Sequence, residues 1–115
     1  MNSTERQALD KFISAVRAHY ADLLDDILVF GSRARGDARP DSDVDLAIIL
    51  RGEIDDYWHE KLLLSDLSYD ALLDADLIIQ SWPVSRNQWD APETHFNPSF
   101  VKRVKRDAVS VGAIA

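Results

Sequence analysis

The segment that most restricts the fold is Val44–Leu50, VDLAIIL, an apolar run carrying one aspartate, with a second aspartate immediately before it at Asp43. In an extended chain alternate side chains point to opposite faces, so Asp43 and Asp45 share one face while Val44, Leu46, Ile48 and Leu50 share the other. A strand this apolar belongs in the interior of a sheet. Two carboxylates fixed side by side there repel each other unless a positive charge sits between them. Reading both as water-facing acids at a strand edge accounts poorly for the apolar residues around them.

The remaining elements can be placed around this strand. Residues 4–24 carry Leu9, Phe12, Val16, Tyr20 and Leu23 at spacings of three and four, with Ser3 or Thr4 available as N-cap, the pattern of an amphipathic helix. Residues 27–30 form a short apolar run between two aspartates and Gly31, the pattern of a buried strand. Residues 54–73 predict a second helix with apolar positions all around its axis. Residues 76–82 predict a third strand stopped by Pro83, which cannot donate to a sheet ladder. Residues 84–97 look irregular, and an ordered loop of that length is more often functional than idle. Asn97-Pro98, a cap followed by proline at the first helical position, opens a last helix with Phe100, Val101 and Val104 inward. The order predicts a single α/β (α+β) domain over residues 1–115, a small sheet with helices packed on one face; whether 32–35 coils into a helical turn stays open.

Composition narrows the possible functions. The 115 residues include no cysteine, which excludes disulfides and thiolate metal sites. Twenty acidic residues against 13 basic ones give a net charge of −7, unsuited to general nucleic-acid binding through phosphates. No apolar run is long enough to span a bilayer and the N-terminus lacks a signal-peptide pattern, so a cytoplasmic location is expected. His19, His59 and His95 have no metal-ligand spacing. Trp58, Trp82 and Trp89 read as core or interface anchors rather than a base-stacking platform.

The chemistry concentrates in FGSRARGDARPDSDVDLAIIL, residues 30–50. Gly31 ends a strand and Ser32 opens the next turn, where free backbone N–H groups and the hydroxyl can hold a phosphate. Ten residues after the Gly-Ser pair, the two carboxylates supply hard oxygen ligands suited to Mg²⁺, which completes its shell with waters and substrate phosphates. Arg33, Arg35 and Arg39 either add positive charge along a polyphosphate or balance Asp37 and Asp41 at the surface.

Gly31-Ser32 followed by Asp43 and Asp45, in the context ARGDARPDSDVDLAI, resembles the signature of the DNA polymerase β-like nucleotidyltransferase superfamily. The chain is similar over nearly its whole length to the minimal nucleotidyltransferases, the antitoxin-type partners of HEPN-domain toxins. The resemblance implies transfer of a nucleotide, usually AMP from ATP, to an acceptor hydroxyl with release of pyrophosphate. It implies one or two Mg²⁺ ions on Asp43 and Asp45, and a third carboxylate on the next strand. Asp76 is the candidate, in the apolar-acid-apolar run Ala75-Asp76-Leu77, with Asp74 and Gln80 at the same parity. The nucleotide-binding set is then Gly31, Ser32, Arg33 and Arg35.

Two functional classes follow from the resemblance. One is an enzyme that adenylylates a protein acceptor, a tyrosine of a cognate HEPN toxin. The other is a catalytically weak antitoxin or assembly module that neutralises its partner by binding. Homo-oligomers fit either. Drug-modifying relatives usually carry an extra helical domain, for which 115 residues leave no room. The cationic VKRVKRDA near the C-terminus reads either as a docking face or, more simply, as a last helical turn whose cations offset the helix dipole while its valines face the core.

Overall fold

A computed structural model describes residues 1–113. Asn2 caps helix α1 (Ser3–Tyr20) through a reciprocal box with Glu5, one residue earlier than the Ser3 or Thr4 expected from sequence. The helix ends at Tyr20, and a short 3₁₀ turn over Ala21–Leu23 delivers the chain into β1 (Leu24–Phe30). A four-residue helix α2 (Ser32–Arg35) follows, then β2 (Val44–Leu50), α3 (Tyr57–Ala75) and β3 (Ile79–Ser85). The expected irregular segment instead forms the capped helix α4 (Arg86–Asp90) and a 3₁₀ turn (Pro92–Thr94). Helix α5 (Pro98–Asp107) opens as expected, with the Asn97 side chain accepting from the Phe100 N–H, and leads into the short β4 (Val109–Ser110).

The strands form one mixed sheet in the order β3-β2-β1-β4. β1 runs antiparallel to β2 and β4, and β3 runs parallel to β2. β2 is central and every residue but Asp45 in it is buried. Its alternation divides the interior as predicted: Val44, Leu46, Ile48 and Leu50 join the main core with Leu9, Phe12 and Val16 of α1 and Leu64 of α3. The opposite face carries a smaller cluster in which Ala47, Ile49 and Val84 meet Val104 of α5, flanked by Phe30, Trp89 and Phe100. The long helices thus share one face as expected, and the short C-terminal elements also cover part of the other.

β3 begins and ends later than the sequence suggests, with Pro83 inside it opposite Ile48. The reason is its place at the sheet edge. The Ile78 carbonyl accepts from Val44 N–H at 2.9 Å, so residues of odd number in β3 turn their backbone groups outward, where a missing N–H costs nothing. The same edge is blunted by Lys61, whose amine caps the outward Ser81 carbonyl at 2.5 Å, and by Gln88, which accepts from Ser85 N–H. At the far end of the sheet, Asp25 accepts from Arg86 at 2.5 Å and from Arg51 at 3.4 Å, tying α4 to β1.

Among the described residues of helix α3 only Leu64 and Ala71 are fully buried, with Leu67 and Ala75 packed partly against the same core. Leu64→Ala is therefore expected to cost about 2–5 kcal/mol, read as a lower urea midpoint with unchanged slope. Among the described residues no helix is long and apolar enough to cross a membrane.

Candidate active site

The site is assembled where β1 ends and β2 begins. β1 delivers Phe30 opposite Asp45, and the chain then turns sharply at Gly31, with φ +73°. A Cβ on Gly31 would lie 2.5 Å from Asp45 Oδ2, so this residue must be glycine both for its left-handed backbone and for the approach of the carboxylate. The Gly31 carbonyl accepts from the N–H groups of Ala34 (3.1 Å) and Arg35 (3.0 Å). The N–H groups of Ser32 and Arg33 are left at the open end of the turn. Gly36, at φ +84°, closes α2 and sends the chain into the loop that leads to Asp43.

Asp43 and Asp45 lie together on the face expected. Asp43 is the last residue before β2 rather than part of it. Asp45 is half-buried, and its pKa is raised first by burial and then by the Asp43 charge, against the opposing pull of Arg35 and Lys61. The sequence argument anticipated this repulsion. A divalent cation would relieve it, and two adjacent carboxylates fit Mg²⁺, which takes few protein ligands and keeps water and phosphate as the rest. Among the described residues no group of three or more His, Cys, Asp or Glu side chains is placed to hold a metal ion.

The expectation that Asp76 opens the third strand is corrected by the structure. The structure ends α3 at this residue, which adopts the left-handed conformation (φ 52°, ψ 32°) as C-cap, three positions before β3 starts. Its N–H goes to the Leu72 carbonyl at 3.0 Å and the next N–H, of Leu77, to Ala71 at 3.2 Å. The apolar-acid-apolar run is a helix terminus whose Leu77 turns into the core, not the alternation of a strand. Asp76 therefore does not join Asp43 and Asp45, nor does Asp74, which remains within α3 and pairs with Lys11.

The residue that does stand beside the pair is Gln80. It sits opposite Asp45 in the β2–β3 register, and its Nε2 donates to Asp43 Oδ2 at 2.7 Å. Lys61 is the cationic neighbour of the pair that sequence reasoning missed. Its amine lies 4.3 Å above the Trp82 ring, on the carboxylates' side of the sheet, and the Asp45 charge counteracts the lowering of its pKa by burial. The available signal was that Lys61 is the lone Lys or Arg in a helix rich in Asp.

The arginines divide. Arg33 turns to the following loop, donating to the carbonyls of Ser42 (2.7 Å) and Pro40 (3.5 Å), while its Nε is buried without a hydrogen-bond partner. Arg35 pairs with Asp37 (3.2 Å) and with Asp107 of α5 (2.9 Å), yet its charge still reaches Asp45. The Arg39 backbone N–H donates to Ser42 Oγ. No histidine joins the site; His95 is buried, its Nδ1 accepting from Asn97 N–H at 2.9 Å, and burial lowers its pKa.

The chain is similar to several known proteins. A Methanocaldococcus jannaschii protein provisionally named a protein adenylyltransferase is 33% identical over 72 residues, 62% of this chain and 70% of that one. The crystal structure of a provisionally assigned nucleotidyltransferase from Sulfolobus solfataricus superposes with a TM-score of 0.62 at 17% identity, over 99% of this chain and 94% of that one. A structure described as a toxin–antitoxin with AMP-PNP superposes with a TM-score of 0.53, also at 17% identity, over 85% of this chain and 68% of its own. Residues 9–111 match the nucleotidyltransferase domain family, and the chain belongs to it.

Proposed function

We propose that the protein is a Mg²⁺-dependent nucleotidyltransferase that moves AMP from ATP to a hydroxyl of a protein acceptor, a tyrosine of a cognate HEPN-type toxin, and so acts as an antitoxin. The observation that carries this reading is the close fit of Gly31 against Asp45, which sets a phosphate-binding turn directly beside a carboxylate pair. The M. jannaschii relative's name supports a protein acceptor, and the toxin–antitoxin structure with AMP-PNP supports a nucleotide and a protein partner.

In this reading the open N–H groups of Ser32 and Arg33 hold phosphate oxygens. Asp43 and Asp45 would hold Mg²⁺, which when bound supplies the positive charge opposing that of the triphosphate and of departing pyrophosphate. The acceptor oxygen attacks the α-phosphorus, the new O–P bond forms, and the bond to pyrophosphate breaks.

The second reading, a module that neutralises its partner by binding alone, is favoured by one feature. The third acid implied by the family resemblance, Asp76, caps α3 ahead of β3, and the side chain that β3 sets opposite Asp45 is an amide, Gln80. Incubation with the co-purifying partner, Mg²⁺ and ATP labelled at the α-phosphate separates the two. Label on the partner, absent when only the γ-phosphate is labelled, is the expected result. A partner that binds stably yet takes up no label establishes binding as the function.

Asp76→Asn provides a further check. Asparagine tolerates the left-handed conformation, so this variant is expected to transfer AMP within about twofold of wild type and to melt at nearly the same temperature. A loss on the order of a hundredfold in transfer would return Asp76 to the active site.

A further inference from the structure

Asp45 has two flanks. On the β1 side lies the Gly31–Ser32 turn; on the β3 side lie Gln80 and the inner end of a groove of about 310 Å³ between α3 and the start of β3. Its walls combine the Lys61 amine, the Ser65 and Ser68 hydroxyls and the Gln80 amide with the apolar surfaces of Leu72 and Ile78. That volume is near the lower end of ligand pockets, about 300–1,000 Å³, and suits a single side chain better than a cofactor. The surface beside it exposes several large apolar side chains. Tyr69 (58% exposed), Leu73 (65%), Leu62 (65%) and Trp58 (67%) follow one another along α3, and Ile78 (49%) continues the patch onto the strand edge.

Lys61 stands apart among the cations at the site. Of the two that act on Asp45, Arg35 is already neutralised by Asp37 and Asp107. Lys61 meets only the Ser81 carbonyl and the Trp82 ring, and among the described residues it has no carboxylate within ion-pair distance.

Resting on the nucleotidyltransferase reading above, we propose that the acceptor reaches the carboxylates through this groove as a tyrosine of a partner protein, and that Lys61 meets its hydroxyl there. The aromatic ring lies against Leu72 and Ile78, and the partner's flanking apolar residues cover the Tyr69–Leu73 patch. With the triphosphate on the β1 side, the groove is the approach left open to the α-phosphorus. The Lys61 ammonium donates to the acceptor oxygen and stabilises negative charge as its proton leaves to solvent. The O–P bond then forms and pyrophosphate departs with the electron pair of the bond that breaks. Lys61 thus takes part of the task that a third carboxylate would perform, by cationic stabilisation instead of proton acceptance.

The test uses the ¹⁵N-labelled full chain with Mg²⁺ and α,β-methylene-ATP, titrated with N-acetyl-L-tyrosinamide. Saturating shifts are expected at the amides of Ser65, Ser68, Tyr69 and Gln80. Lys61→Met, which keeps the methylene bulk over Trp82, should weaken these at least fivefold, and Lys61→Arg should restore most of the loss. Nucleotide-induced shifts at Gly31 and Ser32 should be the same in all three proteins. In transfer assays with ATP, Lys61→Met should lower kcat/KM for the acceptor at least tenfold without changing nucleotide affinity. Tyrosinamide shifts that fall elsewhere, fail to appear, or are equal in Lys61→Met overturn the proposal, while intact nucleotide shifts with transfer leave the enzyme reading standing. Groove shifts without any transfer from ATP keep the groove as a tyrosine-binding site and overturn the enzyme reading instead.

Discussion

Gly31→Ala is expected to abolish nucleotide binding and to lower the melting temperature at once. Two independent penalties meet at this residue. The backbone sits at φ +73°, where an L side chain costs about 1–2 kcal/mol. The added Cβ would also fall 2.5 Å from Asp45 Oδ2, so the carboxylate must leave its position or the turn must open. Either movement separates the Gly31–Ser32 turn from the carboxylate pair, the two parts to which the proposed function assigns phosphate and metal. Calorimetric titration with ATP and Mg²⁺ should show no binding where wild type binds, and thermal unfolding should show a drop of several degrees, as expected for about 1–2 kcal/mol in a domain of this size. Wild-type affinity in this variant would mean that the turn does not hold the nucleotide. Gly36→Ala is the contrast: its φ of +84° brings the same backbone strain, but an added Cβ meets nothing within 4 Å, so stability should fall while binding persists.

The paired acids should respond in the opposite way. Asp43→Asn combined with Asp45→Asn is expected to eliminate transfer, by about a thousandfold or more if the metal contributes several kcal/mol, while leaving the fold intact. Without metal the variant should be as stable as wild type or more so, because burial and the Asp43 charge hold the Asp45 pKa above its unfolded value. A raised acid pKa means that the folded state favours the protonated form. The associated stability is fully present below the unfolded pKa and is lost as pH rises through the folded one. The variant's advantage is therefore greatest at neutral pH and fades in mild acid. Mg²⁺ with ATP should raise the melting temperature of wild type and not of the variant, since a ligand stabilises only what binds it. A double variant that is markedly less stable than wild type at pH 7 would show that the two carboxylates hold the fold together instead of straining it.

Much of this protein follows from local sequence. The alternation of Val44, Leu46, Ile48 and Leu50 against Asp43 and Asp45 reports which face of β2 is buried, because strand geometry allows no other division. Asn97-Pro98 specifies the start of α5, because cap and proline act within one helical turn. The glycine before Ser32 marks the turn, because only glycine accepts both its φ and a carboxylate at its back. Each of these signals is complete within a few residues.

What the sequence left open depended on partners far away in the chain. Pro83 reads locally as the end of a strand, but β3 lies at the sheet edge and turns that position outward, so the strand runs on to Ser85. Asp76 has the neighbours of a strand acid, yet α3 extends to Ala75 and needs a left-handed cap to release the chain toward β3. Gln80 meets Asp43 only through the parallel register of β3 on β2, and Lys61 reaches Asp45 only because α3 packs along that same edge. The identity and spacing of the Gly31–Ser32 turn and the two acids were determined by sequence alone. Which further side chains stand beside them was decided by sheet order and register, since contacts across 16 to 37 positions are set by packing and leave no local trace.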